Sequence, residues 1–353
     1  MILLLAGCIG FSRYMPLPLE EPTTLPAPEL RLVLAGDGGL TEPDPKHDHA
    51  GLTEALTASM RAAAAEVASR RVIWLGDNVY EAGIGPRGAD RGRSILAAQI
   101  AAGPTAADVA FVPGNHDYLQ VSTFRTRLLR EADLVRSAGA SALAYDTPVE
   151  RWEPPGTDTI VLFIDSERAI EQTYGGRVTT LAAVADAART GRPLVLLSHH
   201  PVASAGTHGQ PVGGLRLLDT ELANATYRTW ATDVVEALDG APALFVSGHD
   251  HSLQALAVER PDGPAFTQVI SGSAAKGDYA AEPDGRVDGR PGYAVVDLRG
   301  EVAQIRLVVV IPAADAQGAD ARCVPIAEHP AFQACSRGIS TVNLGRTPNR
   351  RPD

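Results

Sequence analysis

RVIWLGDNVYE, residues 71–81, runs from a strand-length apolar stretch into Gly76-Asp77 and then to Tyr80, three places beyond the acid. A continuous apolar run suits a strand buried on both faces. A carboxylate just after it stands at the strand's carboxyl end, where open α/β sheets gather their ligands. The run is one of six: LRLVLAG from Leu30, DVAFVPG from Asp108, TIVLFID from Thr159, PLVLLS from Pro193 and ALFVSG from Ala243 share its texture. Helix-like stretches lie between several of them. GLTEALTASMRAAAAEVASRR, from Gly51, sets Leu52, Leu56, Met60 and Ala63 on one side. Strands alternating with helices predict an α/β fold. After His251 the texture changes to LQALAVERPDG, FTQVISGS, GYAVVDLRG and EVAQIRLVVVI, strands joined by Gly, Pro and Asp turns. That region is expected to supply a more antiparallel sheet.

The chain of 353 residues is 45% hydrophobic and 21% charged, ordinary for a globular protein. Its net charge of -11 argues against a nonspecific nucleic-acid binder, which needs a basic surface. Bound cations could still give an acidic protein a phosphate site. The start, MILLLAGCIG, resembles a bacterial lipobox, with Cys8 as the residue lipidated after export to the cell envelope or periplasm. It is shorter than a usual signal peptide and lacks a basic n-region, as a start placed too far downstream would leave it. The alternative is an apolar start without a signal. Residues 1–28 are then a signal and Pro-rich tether, residues 29–311 the main domain, and residues 312–353 a poorly ordered Ala/Pro/Arg-rich appendage. In an exported protein Cys323 and Cys335 would pair as a disulfide; the alternative is two thiols.

Five of the six apolar runs end in similar chemistry. They finish Gly36-Asp37-Gly38-Gly39, Gly76-Asp77-Asn78-Val79-Tyr80, Gly114-Asn115-His116-Asp117, Ser198-His199-His200-Pro201 and Gly248-His249-Asp250-His251. Each alone reads as a turn, because Asp, Asn and Gly suit turns. Together they hold five of the chain's nine histidines, and a sixth, His208, follows soon after the fourth cluster. Alternate residues of an extended segment point the same way, so His249 and His251 share a side. The clusters are expected to converge on one sheet edge, where they offer oxygen and imidazole donors and no thiolate.

The ordered set DGG, GDNVY, GNHD, LLSH and GHDH resembles the calcineurin-like metallophosphoesterases, and most closely their purple acid phosphatase branch, over about Leu32 to Lys276. The one departure is Leu196 where the branch has valine. His208, nine places after His199, SLQAL after the last cluster and ISGSAAKG from Ile270 look like the shorter, tartrate-resistant type. The resemblance implies a four-layer αββα sandwich with mixed sheets and a dinuclear metal centre. Most of the superfamily has a histidine two places after the first aspartate; here Gly39 stands there, and Tyr80 would supply a phenolate, which suits a ferric ion. One site would comprise Asp37, Asp77, Tyr80 and His251 and hold Fe(III). The other would comprise Asp77, Asn115, His199 and His249 and hold a divalent Fe, Zn or Mn.

The implied activity is hydrolysis of a small phosphate monoester, with a metal-bound hydroxide attacking phosphorus in line. His116 and His208 would protonate the leaving group or bind phosphate. Asp117 would orient a histidine or cap its loop, and His200 would shape the pocket. His47 and His49 are discounted as surface residues. Two other readings stand beside this one: a phosphodiesterase or nucleotide hydrolase on the same metals, and a noncatalytic metal-stabilised envelope protein. The full ligand set and His116 argue against the last.

Overall fold

A computed structural model describes residues 13–18, 26–40, 51–121, 123–206, 225–260, 263–277, 287–316 and 323–345. The six apolar runs become β2 (Leu30–Ala35), β3 (Arg70–Leu75), β4 (Val109–Val112), β7 (Ile160–Ile164), β8 (Leu194–Ser198) and β9 (Leu244–Ser247). Around them lie β1 (Arg13–Pro16), β5 (Ser141–Ala142), β6 (Val149–Trp152), β10 (Leu253–Arg260), β11 (Gly263–Ser271), β12 (Val287–Asp288), β13 (Gly292–Arg299), β14 (Val302–Pro312), β15 (Cys323–Ile326) and β16 (His329–Asn343). The helices are α1 (Leu52–Ala65), α2 (Ala89–Ile100), α3 (Arg125–Ser137), α4 (Ser166–Ile170), α5 (Gly176–Arg189) and α6 (Ala225–Ala237).

Two mixed sheets result. One runs β15-β16-β14-β13-β2-β3-β4-β5, and the other runs β1-β10-β11-β9-β8-β7-β6 with β12 beside β10. Strands β2, β3 and β4 are mutually parallel, as are β7, β8 and β9. The three apolar cores give the layer order. Leu32, Leu34, Ile73 and Leu75 of the first sheet pack with Val161, Phe163, Val195, Leu197 and Val246 of the second. Val33, Val72, Trp74 and Phe111, on the first sheet's other face, pack with Leu56, Met60, Leu96 and Leu128 from α1, α2 and α3. Leu162, Leu196 and Phe245 pack with Val184, Tyr227, Trp230 and Val234 from α5 and α6. The fold is therefore two sheets face to face with helices outside each. Alternate residues of one strand serve two cores, so the central strands read as unbroken apolar runs.

Three expectations are corrected. The antiparallel strands after His251 do not form a sheet of their own: β10 and β11 join one sheet, while β13 and β14 extend the other. The Pro-rich start contributes an edge strand, β1, antiparallel to β10. The expected poorly ordered appendage supplies β15 and β16, and β16 pairs along most of β14. In β16, HPAFQACSRGISTVN, buried and more open positions largely alternate. A strand with one solvated face shows period 2 and no apolar run, which hides it among Pro and Arg residues. Cys323 and Cys335 lie directly opposite each other in the β15–β16 pair and form the disulfide. Cys8 lies outside the described residues.

Candidate metal centre

Backbone geometry aims the donors. Asp37 follows β2, Asp77 follows β3, Asn115 lies beyond β4, His199 follows β8 and His249 lies beyond β9. The clusters thus rise from two stacked sheets, and not from one edge as the sequence suggested. Asp37, Asp77 and His249 have φ of 61°, 54° and 70°. This left-handed region is uncommon for side-chain-bearing residues and turns each chain sharply at its strand end. At Gly76 (φ 90°) a Cβ would lie 2.6 Å from His199 Nδ1 and 2.8 Å from Gly114 Cα, so only glycine lets these three loops meet. Backbone bonds stitch the loops together: Asp37 N–H donates to Gly76 O (3.0 Å), and Gly248 N–H to His199 O (3.0 Å).

The donor atoms meet in a buried knot. Asp77 Oδ1 accepts the His116 N–H at 2.9 Å and lies 3.3 Å from His199 Nε2. Asp37 Oδ1 accepts the Tyr80 hydroxyl at 2.8 Å and lies 3.6 Å from His251 Nε2, while Oδ2 accepts the His249 N–H at 2.8 Å. His199 Nε2 is 2.9 Å from Asn115 Oδ1 and 3.2 Å from His249 Nδ1. His199 Nδ1 lies 2.8 Å from Leu75 O. A carbonyl only accepts, so Nδ1 carries the proton and Nε2 presents its lone pair inward. The same logic holds at His116, where Nδ1 donates to Glu81 O at 2.6 Å. His116 Nε2 lies 3.9 Å from Asp77 Oδ2. Of the expected site residues, Asp37, Asp77, Tyr80, Asn115, His116, His199, His249 and His251 are brought together; His208, His47 and His49 lie outside the described residues.

Electrostatics favour a cation. Asp37, Asp77 and Tyr80 are buried. Burial pushes the Asp77 carboxyl up, but His199 and His116 together hold it below the ordinary range. Burial lowers His199 against the pull of Asp77, which favours the neutral imidazole that a metal needs. Burial, then the charges of Asp37 and Asp77, push the Tyr80 phenol well up, so it stays protonated against Asp37 unless a strong positive charge displaces the proton. Asp37, Asp77 and His199 place ligand atoms within 4.8 Å of one another, and so do His199, His200 and His249. Hard oxygens and imidazoles gathered out of water are a donor set that fits first-row metal ions.

A second row holds the knot. Asp117 accepts backbone N–H groups of Asn78 (2.9 Å), Val79 (3.0 Å) and Gly114 (2.8 Å), and the Asn78 amide (3.1 Å). It is therefore the clamp of the Asp77 and Asn115 loops. Sequence reasoning missed the fourth strand end. Asp165, Ser166 and Glu167 follow β7; Ser166 Oγ is 2.8 Å from His200 Nδ1, and Glu167 Oε2 is 3.6 Å from His200 Nε2. His200 is so held from behind while its ring packs 4.4 Å from that of His249, centroid to centroid. An aspartate closing an apolar run was the available signal, but no histidine followed it. Asp250 likewise takes the Ser204 hydroxyl at 2.5 Å, anchoring the loop after His200.

The sequence model of the calcineurin-like phosphoesterase family matches residues 31–253, from β2 to the start of β10. No curated protein matches by sequence. Among solved structures the chain is similar to GAP50, the anchor in the inner membrane complex of Plasmodium, with 12% identity and a TM-score of 0.53 over 91% of this chain and 90% of that one. It is also similar to PhoD, with 11% identity and a TM-score of 0.57 over 93% of this chain and 72% of that one. At such identities these likenesses bear on the fold alone.

Proposed function

The chain belongs to the calcineurin-like phosphoesterase family, and we propose that within it the protein is a phosphomonoesterase of the purple acid phosphatase kind, taking a small phosphorylated substrate. The observation that carries this reading is the Tyr80 hydroxyl on Asp37 Oδ1, with glycine and not histidine at position 39. A Cβ at Gly39 would lie 2.6 Å from Asp77 O and 2.7 Å from Tyr80 N, so glycine brings the Tyr80 loop close. Asp37, Asp77, Tyr80 and His251 would hold Fe(III). Asp77, Asn115, His199 and His249 would hold a divalent Fe, Zn or Mn ion. Contacts within each group support this division: Tyr80 and His251 approach the same Asp37 oxygen, and His199 bridges Asn115 and His249.

Bound there, two such ions would clamp ester oxygens and acidify water. The chain's own part is to orient and to move protons. Glu81 O fixes His116 Nδ1 as a donor, leaving Nε2 to face the Asp77 side. As imidazolium, His116 would hand the Nε2 proton to the leaving alkoxide. His208 would assist it in binding phosphate. Asp117 keeps both ligand loops in register from behind. Export through the Cys8 signal would place this activity in the cell envelope, on a lipid anchor, and the paired Cys323 and Cys335 agree with an oxidising compartment.

The test is one preparation of oxidised protein with its metal content and visible spectrum recorded. Chelator-sensitive hydrolysis of an aryl phosphate monoester, faster than that of its diester, is the expected result. A visible band present in the wild type and absent in Tyr80→Phe marks the ferric phenolate. Preference for the diester, or a colourless iron-loaded protein, would overturn this assignment.

A further inference from the structure

Lysine occurs only twice among the chain's 31 basic residues, at positions 46 and 276. Arginine is the default cation of this sequence, so its replacement by lysine at 276 asks for a local reason. Lys276 follows β11 on a segment sewn to the metal centre: the N–H groups of Ala274 and Ala275 donate to Gly36 O and Asp37 O, each at 3.2 Å. Its side chain, 18% exposed, lies across the Tyr80 ring with Nζ 3.4 Å from the centroid. The His116 imidazole meets the same ring, 4.7 Å away between centroids and edge-on. Tyr80 thus has an ammonium and a candidate proton donor packed on it.

The ion pair found for Lys276 among the described residues is loose. Glu81 Oε1 lies 4.0 Å away on a side chain 73% exposed, and such a pair is worth little. A mostly covered cation with so weak a partner keeps much of its field for whatever enters beside it. The incoming group is an anion, and the floor it approaches carries the buried carboxylates Asp37 and Asp77 in a chain of net charge -11. Lysine suits the task. Its compact ammonium can stand on the ring and still turn N–H bonds to a third party, whereas a planar guanidinium would stack and spend its face on the ring.

We propose that Lys276 is a substrate-binding residue whose ammonium donates hydrogen bonds to the non-bridging oxygens of the phosphoryl group at the mouth of the metal centre. The proposal rests on the phosphoesterase reading for its ligand class, but its test does not need turnover. Wild-type, Lys276→Met and Lys276→Arg proteins would be metal-loaded and titrated calorimetrically with inorganic phosphate. Methionine keeps most of the length, with one atom fewer, and removes the charge. The expected result is a phosphate Kd about tenfold or more weaker in Lys276→Met, with partial recovery in Lys276→Arg and unchanged metal content. With an aryl phosphate, KM should rise by a similar factor and kcat fall less, the pattern of lost binding shared by ground and transition states.

An unchanged phosphate Kd in Lys276→Met would overturn the proposal. So would loss of metal or of the visible band in that variant, which would make Lys276 a prop for Tyr80. If the wild type hydrolyses no phosphoester yet binds phosphate in a Lys276-dependent way, the functional assignment fails and this one stands.

Discussion

The rim of the β2–β3–β4 sheet and the rim of the β7–β8–β9 sheet bring different chemistry to the same place. The first supplies Asp37, Asp77, Tyr80 and Asn115, all oxygen donors; the second supplies His199, His249 and His251, all nitrogen donors. The first also fixes its donors through backbone groups, with Asp117 clamping two loops. The second adds side-chain support, with Ser166 and Glu167 behind His200, whose ring packs on that of His249. Neither rim makes a complete centre. The site exists because the two sheets are packed face to face, so their shared core is also the scaffold of the chemistry.

The harshest way to break this pairing is to strip the oxygen rim. Asp77→Ala with Asn115→Ala should take hydrolysis to background and metal content with it, read by elemental analysis beside the assay. Retained turnover would remove the metal-centred account altogether. Next comes His116→Ala. If the residue is the acid, the rate should fall about 10²–10⁴-fold while metal stays bound. A smaller loss, or one accompanied by metal release, would make it a loop residue only.

The common core can be tested without touching either rim. Phe163→Ala, in the core between the sheets, should cost about 3–5 kcal/mol and lower Tm, read by thermal or denaturant unfolding. If the scaffold matters as argued, metal affinity should weaken in the same variant. In the β15–β16 pair, Cys323→Ser with Cys335→Ser opens a loop whose ends are 12 residues apart and should cost about 3 kcal/mol with metal binding intact.

The smallest effect sharpens the contrast with the buried site. Burial alone would raise the Asp288 carboxyl, but hydrogen bonds and charge from Arg290, with Arg337 nearby, hold it below the ordinary carboxylate range. Its folded pKa lies under its unfolded one, so the stabilisation is fully present above the unfolded value and is lost as pH falls through the folded value. Both arginines are about two-fifths exposed, and solvent screens the pair. Asp288→Asn should therefore cost about 1 kcal/mol or less at neutral pH and nothing at strongly acid pH, measured by denaturant unfolding. A loss that persists in acid would point to packing instead of charge.

Much of this was legible in the chain itself. Six apolar runs announced six central strands within a residue or so of their observed bounds, because a strand covered on both faces leaves an uninterrupted signal. The residues after five of those runs named the oxygen and imidazole groups that the fold gathers, because ligands of such sheets sit where buried strands end and loops begin. Other features carried no such mark. β16 hid in a period-2 pattern, and Asp165-Ser166-Glu167 has no histidine to mark it, although Ser166 and Glu167 hold His200 from behind. That the five clusters come from two sheets, that Asp117 clamps loops and that Lys276 lies on Tyr80 were decided only in three dimensions. Sequence fixes which groups a strand end can offer, since that is local. Which groups face one another depends on how two sheets stack, and that is set by contacts between residues far apart in the chain.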